Sequence, residues 1–253
     1  MEPRTAVEHF HLTFCRLLCA GADRGDFAIK GGCNLRFFFG SARYSEDLDL
    51  DVQRIPQRTL RGRVDKILGG AALLQSLRGV GIEVTEVSAP KQADTTQRWK
   101  AALKLRDRAL ASHTKVEFSR RDDVHGAKVD PIERGFAAEH RQQPLLLPHY
   151  PADVAVQQKV RALVGRSQVQ ARDLFDLSLL FARVKDSGEA LAPVKPLLGD
   201  AITRALELSY DDCSGQVVAW LAPLAAESLG TRAAWDAMQL QVVEMLERVA
   251  GAP

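Results

Sequence analysis

Apolar residues recur at helical spacing near the N-terminus. Val7, Phe10, Phe14, Leu17 and Leu18 share a face, which predicts an amphipathic helix over residues 5–21 with Gly21 as its stop. The pattern then changes period. Phe27-Ala28-Ile29-Lys30 reads as a short strand ending in Gly31-Gly32, and residues 33–39 predict a short helix closed by Gly40. Residues 46–52 alternate strictly. Leu48, Leu50 and Val52 fall on one face, and Asp47, Asp49 and Asp51 on the other: a strand with a buried face and a carboxylate face. A helix over residues 59–78, punctuated by Gly69-Gly70, comes next, then strands at 82–87, 99–106 and 114–119. Residues 88–97 and 107–113 are polar and read as connections. In the last strand Val116 and Phe118 oppose Lys115, Glu117 and Ser119.

From about residue 147 helical periodicity dominates. The run Leu145-Leu146-Leu147-Pro148-His149-Tyr150-Pro151, with two prolines, predicts a hinge, and residues 186–196 a second break. The expected organisation is α+β: a sheet domain over residues 1–147 followed by an all-helical domain over 148–253.

Composition sets outer bounds. The chain has 253 residues, a formal net charge of +2 and 46% hydrophobic residues, so a sizeable core is within reach. A near-neutral balance does not mark a protein that coats nucleic acid, so such contact has to come from a local patch. Cys15, Cys19, Cys33 and Cys213 lack zinc spacing and read as reduced core residues. Arg16 interrupts the first apolar stretch, which is not a signal-peptide pattern, and no run of about 18 apolar residues predicts a membrane span. The cytoplasm is the expected compartment.

The chemistry is carried by a short constellation. Asp47 and Asp49, two apart on a strand, point the same way and can share divalent metals, and a third carboxylate from a neighbouring strand, Glu83 among the candidates, would complete the set. Two metals about 3.5–4 Å apart can stabilise the attacking and leaving oxygens of a phosphoryl displacement. Mg²⁺ suits such oxygen ligands. Gly31 and Gly32 allow backbone N–H groups close to phosphate, and the following helix would aim its positive end there. Arg43 and Ser45 are further candidate phosphate contacts.

The stretch from Lys30 to Leu50, with Gly31-Gly32, Arg43-x-Ser45 and Asp47-x-Asp49, resembles the first motif of the AbiEii/AbiGii-type nucleotidyltransferase toxins of the DNA polymerase β-like superfamily. Lys115-Val116-Glu117 resembles their central strand motif. Lys159 with Ala162-Leu163, and Arg172-Asp173-Leu174-Phe175-Asp176-Leu177, resemble their paired helical motifs. Gln157-Gln158 and Phe175 depart from the common Ala-Glu and tyrosine. The resemblance implies a metal-dependent enzyme with a polymerase β-like sheet, Mg²⁺ as cofactor and an NTP as substrate. It implies Asp47, Asp49 and Glu117 as metal ligands, Glu117 alternatively as a base. Lys159 is implied as a mobile cation at the triphosphate. Asp173 and Asp176 are implied near the active site, with Arg172 and Asp176 able to pair. It further implies a toxin acting on RNA, at the tRNA 3′ end, with a cognate antitoxin. The last seventy-odd residues carry no motif.

Two basic sets remain open between a polyanion groove and a solvated face: Arg58, Arg61, Arg63 and Lys66, and Arg98, Lys100, Lys104, Arg106 and Arg108, the last three alternating as if on one strand face. Two rival functions are the same transfer onto a small-molecule or protein hydroxyl, and a catalytically silent binding protein of the same fold.

Overall fold

The protein's structure, a computed structural model, describes residues 1–21, 23–120 and 124–252. The chain divides into two compact units. The first comprises Met1–Phe38 and Ser45–Tyr150; the second comprises Phe39–Tyr44 and the chain from Pro151 onward. The boundary expected at residue 147 lies inside a strand, and the excursion of residues 39–44 has no counterpart in a linear division.

The first unit contains α1 (Pro3–Gly21), β1 (Phe27–Lys30), α2 (Gly31–Phe38), β2 (Leu48–Val52), α3 (Gln57–Leu68), α4 (Ala71–Gly79), β3 (Ile82–Ala93), β4 (Thr96–Leu105), β5 (Ala111–Ser119), β6 (Lys128–Pro131), α5 (Arg134–Glu139) and β7 (Leu146–His149). The strands form one mixed sheet in the order β3-β4-β5-β2-β1-β7-β6. β2 runs parallel to β5 and β1 parallel to β7; the other pairs are antiparallel. Because side chains alternate, register sorts this sheet into two faces. Leu48, Leu50, Trp99, Leu103, Val116 and Phe118 share one face and pack in a common core with Phe10, Phe14 and Leu18 of α1, Leu60 and Val64 of α3, and Leu73 and Leu77 of α4. The odd-numbered residues of β2 and β5, Asp49 and Glu117 among them, lie on the other face.

Several elements differ from the sequence reading, each for a physical reason. The long helix is two helices, because the backbone turns extended at Gly70 (φ −80°, ψ 143°), where a Cβ would lie 2.6 Å from the Lys66 carbonyl oxygen. β3 continues through residues 88–93, so the turn-like stretch narrows to Asp94 and Thr95. This strand is the sheet edge and mostly exposed, so it shows no alternation. β5 starts three residues before the expected Thr114, at Ala111. The predicted hinge is the strand β7, whose Pro148 pairs with Val129 of the edge strand β6. β6 is exposed throughout and only four residues long, too short to carry a period. α2 begins at Gly31 itself rather than after Gly32.

The second unit is helical: α6 (Ala152–Gly165), α7 (Ala171–Phe181), α8 (Ser187–Leu191), α9 (Leu198–Leu206), α10 (Tyr210–Gln216), α11 (Pro223–Leu229) and α12 (Arg232–Gly251). The predicted break at 186–196 is α8 followed by a 3₁₀ segment, Ala192–Leu197. Val156, Val160 and Leu163 of α6, Leu174, Leu177 and Leu180 of α7, Ala201 of α9 and Trp235, Val242 and Leu246 of α12 are all buried. The segment Phe39–Tyr44 is tied to this unit by backbone: Tyr44 N–H donates to the Trp220 carbonyl at 2.9 Å, and Arg43 bridges Leu221. Among the described residues no helix is long and apolar enough to cross a membrane.

Candidate active site

β2 and β5 run parallel, and their register sets Asp49 directly opposite Glu117. On β1 the antiparallel partner of Asp49 is Lys30, and on β4 the partner of Glu117 is Arg98. One row across four strands therefore reads Lys30, Asp49, Glu117, Arg98. Asp47, just before β2, lies beside Lys115 of β5. Its Oδ2 is 2.7 Å from Lys115 Nζ, and its Oδ1 accepts from the Lys115 N–H at 3.1 Å. Glu117 Oε2 accepts from Arg98 Nε at 2.6 Å. Lys30 pairs with the buried Asp51, which also accepts from the Tyr150 hydroxyl at 2.9 Å.

Asp49 differs from its neighbours. Its carboxylate accepts no hydrogen bond from any described residue. Burial pushes its pKa up, the charges of Asp47 and Glu117 push it further, and Lys30 and Lys115 only partly compensate. Gly31 leaves it room. Gly31 has φ +63°, which favours glycine, and a Cβ there would lie 3.2 Å from Asp49 Oδ2. Three half-buried carboxylates, of which Asp49 alone has no donor, form an oxygen-only donor set suited to a hard divalent cation.

Among the described residues, the set of three whose candidate ligand atoms all lie within 4.8 Å of one another is elsewhere: Glu8, Glu139 and His140. Its charge is already met. Arg36 bonds Glu8 at 2.7 Å and Glu139 at 3.1 Å, and His140 Nε2 lies 3.0 Å from the other Glu8 oxygen. A guanidinium in the cluster makes it an ion-pair network. Asp47 and Glu117 are likewise paired, with Lys115 and Arg98, and what sets their row apart is Asp49, which has no donor.

The loop before β2 is held from beneath. Ser45 Oγ donates to the Asp47 carbonyl at 2.9 Å, so this hydroxyl is committed to backbone rather than open to phosphate. Cys33 Sγ donates to the same carbonyl at 3.2 Å, and Thr114 Oγ1 donates to the Glu46 carbonyl at 2.7 Å. Burial raises the Cys33 thiol pKa well above its usual range, which keeps it protonated and inert.

In the second unit, Lys159 Nζ lies 2.9 Å from Asp173 and 2.6 Å from Asp176. Arg166 bonds Asp173 at 2.7 Å, and Arg43 bonds Asp176 at 3.1 Å. Both aspartates are buried. Burial alone would lower the Lys159 pKa, but Asp173 and Asp176 outweigh it and the net shift is upward. Burial would raise Asp173, but Lys159 and Arg166 outweigh it and the net shift is downward. Three expectations change accordingly. Lys159 is held by two anions rather than mobile. Arg43 is a buried ion-pair partner rather than an open phosphate contact. Arg172 is exposed, and Asp176 pairs with Arg43 and Lys159 instead of with it.

Glu83, the rival third carboxylate, lies on edge strand β3 opposite Lys104, with β4 and β5 between it and β2. Sequence reasoning missed Lys30, Lys115 and Arg98 as members of the carboxylate row. Alternation in residues 114–119 placed Lys115 and Glu117 on one face, but only strand register brings Arg98 and Lys30 beside them.

The sequence profile of the family described as "Nucleotidyl transferase AbiEii toxin, Type IV TA system" matches residues 14–252. The chain belongs to the AbiEii nucleotidyltransferase toxin family. The match reaches through the C-terminal helices, for which the motifs gave no reading. No curated protein sequence matches significantly. Solved structures share the fold of this AbiEii member. JHP933 from Helicobacter pylori superposes with a TM-score of 0.66 at 19% identity, covering 99% of this chain and 93% of that one. A putative nucleotidyltransferase from H. pylori gives 0.65 at 20%, covering 97% and 94%. MenT4, a nucleotidyltransferase toxin from Mycobacterium tuberculosis H37Rv, gives 0.62 at 20%, covering 96% and 84%. At these identities the likeness establishes the α+β nucleotidyltransferase fold.

Proposed function

We propose that this AbiEii-family chain transfers a nucleotide from an NTP to a hydroxyl of an RNA acceptor, the tRNA 3′ end by family resemblance, with Mg²⁺ held by Asp47, Asp49 and Glu117. The observation that carries the reading is the Asp49–Glu117 register with Asp47 alongside, which leaves Asp49 with a raised pKa and no hydrogen-bond donor. Such a carboxylate is stabilised by a divalent cation. When bound, the metal ions supply charge stabilisation to the attacking and leaving oxygens. Lys115 and Arg98 hold Asp47 and Glu117 in place and compensate their charge. Gly31 keeps the space beside Asp49 clear. In the second unit, the burial of Asp173 and Asp176 supports a positioning role: they fix Lys159 and Arg43, and Arg172 stands outside that cluster.

A polyanionic acceptor is supported by the same sheet face. Register places Lys91 beside Arg98 on one row, and Lys100 beside Lys115 on the next. Lys91 and Lys100 are exposed. The strip extends from the carboxylates toward the β3 edge, across about 10 Å at the usual strand spacing. The other basic set, on α3, belongs to the opposite layer: Trp99, on the core face of β4, donates to Asp65 of α3. Arg106 and Arg108 fall beyond the end of β4, and Arg108 pairs with Glu2, so they do not extend the strip. The reading includes a cognate antitoxin and a cytoplasmic setting.

The test is incubation of the purified protein with each labelled NTP, Mg²⁺ and total tRNA. Label in RNA is expected. Label migrating with protein or a small molecule would move the acceptor, and no transfer at all would overturn the reading.

A further inference from the structure

A fully buried histidine outside the carboxylate row is connected to it by hydrogen bonds. His11 of α1 lies with its Nε2 2.7 Å from Thr114 Oγ1 and its Nδ1 3.5 Å from Cys33 Sγ. Thr114 and Cys33 are the groups that bond the Glu46 and Asp47 carbonyls. Register explains the geometry. Thr114 shares the core face of β5 with Val116 and Phe118, so its hydroxyl points at α1, while Lys115 and Glu117 point to the carboxylate side.

Proton bookkeeping fixes the tautomer. A carbonyl cannot donate, so the single Thr114 hydroxyl proton goes to Glu46. His11 Nε2 must then carry the proton donated to Thr114, and Nδ1 is a lone pair facing Cys33. The single Cys33 S–H proton goes to the Asp47 carbonyl, so the hydrogen-bonded path from His11 runs through Thr114 while Cys33 only packs beside Nδ1, and a polar group in such a chain is costly to leave unmet.

We propose that His11 is a positioning residue for the metal-binding strand. Through Thr114 it fixes the backbone at Glu46, the residue before Asp47, and so sets the direction in which the Asp47 and Asp49 carboxylates project. A buried imidazole is retained there because its Nε2–H supplies the donor that the Thr114 hydroxyl oxygen accepts while its own proton goes to Glu46. No aliphatic side chain in the same space does so. This rests on the reading of Asp47 and Asp49 as metal ligands.

The experiment is Mn²⁺ binding by calorimetry on the full chain, without NTP, well below each variant's Tm. The variants are Thr114→Val, Thr114→Ser, His11→Leu and His11→Gln. Thr114→Val and His11→Leu are expected to weaken Mn²⁺ binding by about tenfold or more, the scale on which groups that orient metal ligands act. Thr114→Ser keeps the hydroxyl, and His11→Gln keeps a donor near the Nε2 position; both are expected to bind close to wild type. If Thr114→Val and His11→Leu bind Mn²⁺ as wild type does, with only Tm reduced, His11 is structural and the proposal is overturned. Should one of them fail to fold, the other decides. Wild type binding no Mn²⁺, or binding it unaffected by Asp49→Ala, would overturn the metal reading itself, and this proposal with it.

Discussion

Asp49 on β2 and Glu117 on β5 face each other in parallel register, and only Glu117 has a cation bonded to it. This asymmetry gives Asp49 a stability signature. Burial and the two neighbouring carboxylates raise its folded-state pKa above 3.8. A raised carboxylate pKa means that Asp49 supports folding below its unfolded pKa and opposes it as pH rises through the folded value. Metal-free Asp49→Asn is therefore expected to melt no lower than wild type at pH 7, with the difference vanishing in acid. Mg²⁺ should raise the wild-type Tm and leave the variant unmoved. Differential scanning fluorimetry with EDTA or Mg²⁺ reads both.

The helical unit should behave in the opposite way. Asp173 is buried between Lys159 and Arg166, and its pKa is held down. Its contribution is present above the unfolded pKa of 3.8 and lost as pH falls through the lower folded value. The raised Lys159 pKa places its own loss above 10.5. Asp173→Ala leaves Arg166 without its anion and Lys159 with Asp176 alone, and is expected to cost about 3–5 kcal/mol. Urea unfolding at pH 7 measures this, and a cost below 1 kcal/mol would assign the cluster to the solvated class of ion pairs.

Gly31→Ala meets two obstacles at once, a positive φ and Asp49 Oδ2 at 3.2 Å. The backbone strain costs about 1–2 kcal/mol. Displacement of Asp49 should weaken Mn²⁺ binding as well, which distinguishes this site from an ordinary strained turn. A lower Tm with unchanged metal affinity would mean that Asp49 is free to move aside.

For the basic strip, the double variant Lys91→Ala/Lys100→Ala should weaken RNA binding and reduce its salt dependence. Two lost contacts to a single strand lower the log–log slope by about 1.4. Lys66→Ala, on α3 in the opposite layer, serves as control and should leave both unchanged. Fluorescence anisotropy across a salt series measures the slope. Equal slopes for all three proteins would return Lys91 and Lys100 to an ordinary solvated face.

The site was legible in the sequence wherever a short-range period carried it. The run from Lys30 to Leu50 holds a strand, a helix start and a carboxylate face within twenty-odd residues, and each has its own spacing. The ion pairs were not legible, because Arg98 and Glu117 meet only through strand register. Arg43 shows the same limit more strongly. Next to Ser45 in sequence it reads as part of the phosphate loop, but its chain segment belongs to the helical unit, where it pairs with Asp176. Edge elements failed for a different reason. β6 and the far half of β3 have no buried face, so no hydrophobic alternation marks them. β7 was masked by Pro148, which a strand tolerates beside an edge partner.

The central claim is that Asp47, Asp49 and Glu117 form the catalytic metal site of a nucleotidyltransferase. The most direct measurement is the rate of label transfer from NTP to RNA by wild type and by Asp49→Asn, both confirmed folded by their melting curves. The account predicts Mg²⁺-dependent transfer by wild type and a loss of about 10³-fold or more in the variant. Transfer that proceeds equally well in folded Asp49→Asn would contradict it.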